Sequence, residues 1–229
     1  MTAIGAHGMT DGWRLHRAIG PAAGFHGRAL PSGTERTVAV LTVERPALVL
    51  GSTQRDEVVD RAALAAAGVD LVRRRSGGGA VLVEPERTVW IDVDVPVGDP
   101  LWSADVGRSF GWLGRTWAAA LGTLGLPAEV HDGGLCTTPW SRLICFAGLG
   151  PGEVTVGEAK AVGLAQRRTR DGARFQTAVN LAWDPAPLAG LLALGVEERA
   201  QVVADLRGAV VPVPGPADRV VDAFLAALP

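Results

Sequence analysis

Apolar and polar positions along this chain repeat with two different periods, and each change of period marks an element. Residues 37–51 hold Val38, Val40, Leu41 and Val43, then Leu48, Val49 and Leu50, which predicts two strands broken at Pro46, a residue that cannot donate to a ladder. Residues 56–67 switch to helical spacing, with Val58, Val59, Ala62, Ala63, Leu64 and Ala67 on one side and Gly68 as the stop. Residues 69–74 form a short expected strand that runs into three glycines. A pair of strands follows at 80–83 and 88–95, the second alternating Val89, Ile91, Val93 and Val95 with Trp90, Asp92 and Asp94. The longest helix is expected at 105–124, carrying Trp112 and Trp117. Before all of these, the Gly-, Pro-, Ala- and His-rich residues 1–36 are expected to contain a short helix near 13–19.

The second half returns to strand patterns at 128–131, 142–146, 153–156, 159–164 and 174–181, and closes with helices at 185–194, 197–207 and 216–228. Pro212 and Pro214 mark the turn before the last of these. Hairpin-like strands with helices between and after them predict an α+β fold, with a mixed, largely antiparallel sheet flanked by helices. The regular strand–helix alternation of a doubly wound sheet is missing. Residues 1–229 are expected to be one catalytic domain, with a short helical C-terminal segment from about 185.

Composition narrows the function classes. A net charge of −2 supplies no field for nucleic acid or anionic lipid. No apolar run approaches the roughly 20 residues of a membrane span, and the first residues lack the basic and apolar regions of a signal peptide. Two cysteines, Cys136 and Cys145, make no disulfide framework, so a reducing, cytoplasmic location is expected. The four histidines show no ligand spacing with Cys or carboxylates, so no metal site is expected. His131-Asp132 could act as an acid/base pair, but a turn at a strand end is the plainer reading. The seven tryptophans come without a basic stripe, which favours core packing over base stacking. Of the 22 basic residues only Lys160 is lysine. In a chain whose cations are otherwise arginine, a compact ammonium suits a site too tight for a planar fork.

Two segments carry candidate chemistry. In Arg73-Arg74-Arg75-Ser76-Gly77-Gly78-Gly79-Ala80-Val81, three glycines between strands let backbone N–H groups approach an anion or carbonyl, with guanidinium and hydroxyl donors beside them. The spacing is neither that of a P-loop nor of a dinucleotide fingerprint. In the second segment, a hairpin could bring Cys145 of Arg142-Leu143-Ile144-Cys145-Phe146 near Lys160. A neighbouring cation would favour the thiolate, although a buried, inert cysteine is the alternative.

Read together, these segments resemble the lipoate–protein ligase and octanoyltransferase family, whose fold is shared with biotin–protein ligases. The glycine loop looks like the family's Arg-Arg-x-Ser/Thr-Gly-Gly-x-Ala-Val loop. Gly157-Glu158-Ala159-Lys160-Ala161-Val162-Gly163-Leu164-Ala165-Gln166-Arg167 is similar to its lysine strand, and Cys145-Phe146 to the Cys-Phe pair of its cysteine-dependent transferases. The resemblance implies an acyl tunnel under the loop, with Arg73, Arg74, Ser76, Gly77, Gly78, Gly79, Ala80 and Gly163 binding substrate. Cys145 would be the nucleophile, and Lys160 would contact the acyl carbonyl. It also implies acyl carrier protein as donor, and a lipoyl domain or glycine-cleavage H-type protein as acceptor. No cofactor is implied for the transferase. An ATP-dependent ligase, using ATP and Mg to form a lipoyl-adenylate, is the alternative, and a non-catalytic acyl- or carrier-binding relative is a third reading. Few residues follow Leu181, which speaks against the extra C-terminal domain such ligases commonly carry. Two family histidines are replaced, one by Val83 and one within Arg174-Phe175-Gln176-Thr177-Ala178.

Overall fold

Eleven strands and six α-helices form among residues 3–10, 12–30 and 33–229, the residues that the computed structural model describes, with side chains described from residue 12 onward. The strands are β1 (Ala3–Thr10), β2 (Trp13–Gly20), β3 (Arg36–Val43), β4 (Ala47–Leu50), β5 (Asp70–Arg73), β6 (Val81–Val83), β7 (Thr88–Pro96), β8 (Ala128–Val130), β9 (Val154–Val156), β10 (Ala159–Arg168) and β11 (Gly172–Asn180). The helices are α1 (Ala22–Gly27), α2 (Arg61–Ala67), α3 (Gly111–Thr123), α4 (Pro185–Gly190), α5 (Val196–Leu206) and α6 (Ala217–Ala226). Eight strands make one sheet in the order β1-β2-β3-β7-β11-β10-β9-β8, and β5-β4-β6 make a second. Only β2–β3 and β4–β5 pair in parallel. The expected mixed, largely antiparallel α+β architecture is what the chain adopts.

Three local expectations change. Residues 13–20 are a strand, not a helix. They sit between β1 and β3 with their backbone groups in ladders on both sides, and Trp13 is driven inward to stack on Trp112 at 6.1 Å between ring centroids. Tertiary pairing overrides a composition that only suggested a helix. The helix expected over 56–67 is split. A 3-10 turn at Asp56–Val58 ends where Val59 bridges to Leu192, and Asp60 then caps α2 by accepting from Ala63 N at 2.9 Å. Residues 142–146 do not form a strand. Ile144 makes one isolated bridge to Ala80, and Cys145–Ala147 turn into a 3-10 helix.

Three apolar clusters hold these layers together. On one face of the large sheet, α3 buries Leu113, Trp117, Ala120 and Leu121 at positions one and two turns apart. Trp117 stacks on Phe224 of α6 at 4.4 Å. Burying each such side chain contributes about 1.5–3 kcal/mol. A second cluster joins the small sheet to α2, α4 and α5 through Leu48, Leu50, Leu64, Leu188, Leu192 and Val202. The third lies where the two sheets face each other, with Leu41 and Trp90 against Val49, Val72 and Val83. The site described next opens at the margin of this third cluster.

Candidate active site

The loop joining β5 to β6 takes its shape from a buried arginine. Arg74 is 4% exposed, and its guanidinium donates to Gly77 O (2.8 Å), Gly79 O (2.8 Å) and Val49 O (3.3 Å). Gly78 adopts φ +100°, and a Cβ there would stand 2.8 Å from Arg74 Nη2. At Gly79 a Cβ would lie 2.6 Å from the backbone of Ile144 and 2.7 Å from Cys145 N. Only glycine lets the two chains touch there. Two hydrogen bonds then stitch them together: Ala80 N donates to Leu143 O (2.8 Å) and Cys145 N to Ala80 O (2.9 Å). The N–H groups of Gly77, Gly78 and Gly79 find no acceptor among the described residues. They remain free to act as donors, as an anion nest requires.

Lys160 enters from β10 and is 4% exposed. Its ammonium donates to Cys145 O (3.2 Å) and Gly148 O (3.0 Å), and pairs with Glu153 Oε1 at 2.7 Å. The Phe146 ring lies 5.1 Å from Nζ. Glu153 is itself tied down, accepting from Gly150 N (2.7 Å) and Leu164 N (3.0 Å). The expected hairpin does not form, because Cys145–Ala147 is a 3-10 turn and β10 pairs with β9 and β11 instead, but Lys160 still reaches Cys145. The contact runs to the Cys145 carbonyl, so in this arrangement the lysine orients the cysteine's backbone.

Cys145 and Phe146 form one wall of a narrow pocket between the two sheets that opens to solvent. Val49, Val81 and Val83 of the small sheet lie across from Gly163, Ala165 and Ala178 of the large one. Gly163 leaves room for the Phe146 ring, which a Cβ would meet at a tight 3.1 Å. Of the residues expected to bind substrate, Arg74 and Gly163 line this pocket, and Ser76 touches its lining residue Gln176. Gly77, Gly78, Gly79, Ala80 and Arg73 are not among its lining residues. Arg73 turns to Asp56 and to the carbonyls of Gly51 and Gln54, and fixes the loop from outside.

Two further groups at the pocket had no sequence signal. His26 of α1 rests on Trp90 at 4.6 Å between ring centroids, and Gln176 Nε2 donates to its Nδ1 at 3.1 Å. Burial, with the guanidinium groups of Arg74, Arg28 and Arg174 nearby, lowers its pKa to about 3. It is therefore neutral near pH 7, with its proton on Nε2. The second group lies beneath it. Arg174 forks onto Asp94 (2.7 and 2.8 Å), Arg28 pairs with Asp92 (2.6 Å), and Trp90 Nε1 donates to Asp92 (2.7 Å). Burial pushes the Asp92 carboxyl up, against the pull of these partners. Asp92 and Asp94, which alternate with the apolar positions of β7, form a buried charged face because Arg174 of β11 stands directly opposite Asp94. His131 forms no pair with Asp132; its Nε2 lies 2.7 Å from Gly134 O, as suits a turn.

A model of the lipoyl protein ligase A/B catalytic domain matches residues 27–227. The chain belongs to this family. Within it, the octanoyltransferase LipM of Carboxydothermus hydrogenoformans is 35% identical over 131 residues, spanning 57% of this chain and 47% of that protein. LipM of Moorella thermoacetica is 34% identical over 125 residues, covering 54% and 45%. The chain thus spans about half the length of the curated relatives it matches. Among solved folds, the bipartite lipoate protein ligase of Thermoplasma acidophilum superposes with a TM-score of 0.70 at 19% identity, covering 86% of this chain and 71% of that one. A lipoate–protein ligase A bound with ATP gives 0.65 at 19% identity, covering 86% and 72%. The family fold is thus the lipoate-ligase catalytic fold. Among the described residues no helix is long and apolar enough to cross a membrane, and no group of three His, Cys, Asp or Glu could hold a metal.

Proposed function

We propose that this family member is an octanoyl or lipoyl transferase that modifies a lysine of a lipoyl carrier domain through a Cys145 acyl-enzyme. One observation carries this reading: Cys145 lies in the wall of an apolar pocket while its backbone is locked to the glycine loop and to Lys160. The likeness to two LipM octanoyltransferases supports it. The donor is an acyl thioester on a carrier protein, and residues 1–229 act as one catalytic unit.

In the first step the Cys145 thiol gives up its proton to solvent and its sulfur bonds to the thioester carbonyl carbon. The tetrahedral oxyanion accepts from the N–H groups of the glycine loop. As it collapses, the bond to the carrier's sulfur breaks, and that thiolate leaves and takes up a proton. In the second step the acceptor lysine's neutral amine attacks the Cys145 thioester, the new C–N bond forms, Cys145 leaves as thiolate and the amine sheds its proton. Splitting the transfer in this way is what a cysteine nucleophile offers. Lys160 fixes the Cys145 carbonyl, and with it the direction of the side chain. No cofactor enters either step.

Incubation with octanoyl–acyl carrier protein tests this by intact mass spectrometry. The wild type gains a hydroxylamine-labile octanoyl adduct and Cys145→Ser does not. Failure of the wild type to acquire the adduct sinks the acyl-enzyme, and pyrophosphate exchange from ATP stimulated by lipoate or octanoate would replace it with the ligase reaction.

A further inference from the structure

Gln176 is a long polar side chain in the lining of a pocket whose walls are mostly apolar, and it is held from both ends. Ser76 Oγ donates to its Oε1 at 3.1 Å, and its Nε2 donates to His26 Nδ1 at 3.1 Å. This chain of three residues joins the glycine loop, β11 and α1. It fixes the Gln176 amide in one rotamer with both its oxygen and its nitrogen used. The His26 ring is pinned in turn against Trp90.

The register shows where this clamp lies along the pocket. Gly163 of β10 stands opposite Ala178 of β11, next to the Phe146 ring and so beside Cys145. Ala165 stands opposite Gln176, two residues further along both strands, about 7 Å away. Beyond Gln176 the next opposed pair on this face is Arg167 and Arg174, where the lining turns from apolar to charged. Gln176 therefore occupies the boundary between the apolar stretch that starts at Cys145 and a charged zone in which a hydrocarbon chain gains nothing.

We infer that Gln176, held by Ser76 and His26, ends the acyl pocket and sets the longest acyl chain that Cys145 can accept. The inference rests on the acyl-enzyme reading for its substrate class but concerns the pocket's depth, which binding alone can read. The apolar walls take a saturated medium-length acyl chain. Each further methylene would have to displace the clamped amide instead of gaining the roughly fourfold in affinity that burying it would otherwise give.

The test compares wild type, Gln176→Ala and Ser76→Ala for the binding of free fatty acids from hexanoate to tetradecanoate by calorimetry. The same variants are tested for Cys145 adducts from the matching acyl–carrier proteins. Thermal melts confirm that each variant is folded, and Ser76→Ala serves where Gln176→Ala is not. The wild-type affinity rises with chain length and then stops. In Gln176→Ala the stop moves out by two or more carbons, with about a tenfold gain for the first chain beyond the wild-type limit. Ser76→Ala, which frees the amide to rotate, broadens the limit without moving the optimum. An unchanged chain-length profile in a folded Gln176→Ala protein overturns the inference. Chain-selective binding with no adduct in any protein would leave the pocket assignment standing and remove the acyl-enzyme instead.

Discussion

At the scale of single residues, a half-buried histidine and a buried ion pair shape this site, and each has a measurable signature. His26 has an ordinary pKa of 6.5 and a folded value of about 3, lowered by burial and by Arg74, Arg28 and Arg174. The unfolded chain therefore takes up a proton that the folded chain refuses. Stability is full above pH 6.5 and falls as the pH drops from there toward 3. In His26→Gln, which keeps a polar partner for Gln176 but cannot titrate, the fall in unfolding free energy from urea titrations between pH 7 and 4.5 should be shallower by about 1–3 kcal/mol. Equal slopes would mean that other groups carry the acid sensitivity. Lys160 and Glu153 make the second signature, because both are nearly sealed from water and each neutralises the other. Glu153→Gln strands the ammonium and should cost about 3–5 kcal/mol. Replacing both residues with Met removes the stranded charge, so denaturation should show most of that stability returning. Adduct formation should not return, since nothing then holds the Cys145 carbonyl. A double variant that is as reactive as wild type would show that the pair is structural only.

At the scale of elements, the glycine loop and the Cys145 turn behave as one unit, and a pair of glycine substitutions separates contact from flexibility. A Cβ at Gly77 meets nothing within 4 Å, whereas one at Gly79 strikes the Ile144–Cys145 backbone. Gly77→Ala should be near neutral in thermal stability and adduct formation. Gly79→Ala should lose about 1–3 kcal/mol, the usual cost of overpacking, and most of the adduct, because the cysteine is pushed off its wall. Similar behaviour of the two variants would refute the close-contact argument. This unit also marks how far the sequence could be read. The loop, Lys160 and the order of nearly all strands were legible, because period and glycine spacing are local properties. The strand at 13–20 was not, since its ladders are formed with residues near the chain start and with β3. Nor was the 3-10 turn at Cys145, whose hydrogen bonds go to Ala80, far away along the chain. His26 carried no signal at all. It matters only because α1 lays it over Trp90, beside a glutamine 150 residues later.

At the scale of the whole molecule, the large sheet serves two purposes on its two faces. One face packs α3 and α6 into a dry core. The other turns from apolar, at Trp90 and Ala178, to charged, at Asp94 and Arg174, over two or three steps of the same strands. The charged end is held shut by residues from distant parts of the chain. Arg174 is 3% exposed, forks onto Asp94, lies 3.7 Å from Asp92, and also donates to the carbonyls of Arg28 (3.1 Å) and Ala29 (3.0 Å). It thereby ties the segment after α1 to the middle of the sheet, and α1 carries His26. Arg174→Met keeps much of the side chain's length but leaves Asp94 without its cation and Asp92 with only Arg28. The expected cost is about 3–5 kcal/mol, the penalty of an uncompensated buried charge. A second change should restore part of it: in Arg174→Met/Asp94→Asn no full charge is stranded at that position, so stability should recover by at least about half. The tie to residues 28 and 29 stays broken in both variants. Hydrogen exchange should then show faster opening of α1 than in wild type, while α3 and α6 keep their protection. If α1 exchanges at the wild-type rate in the double variant, Arg174 holds the sheet together but does not position His26.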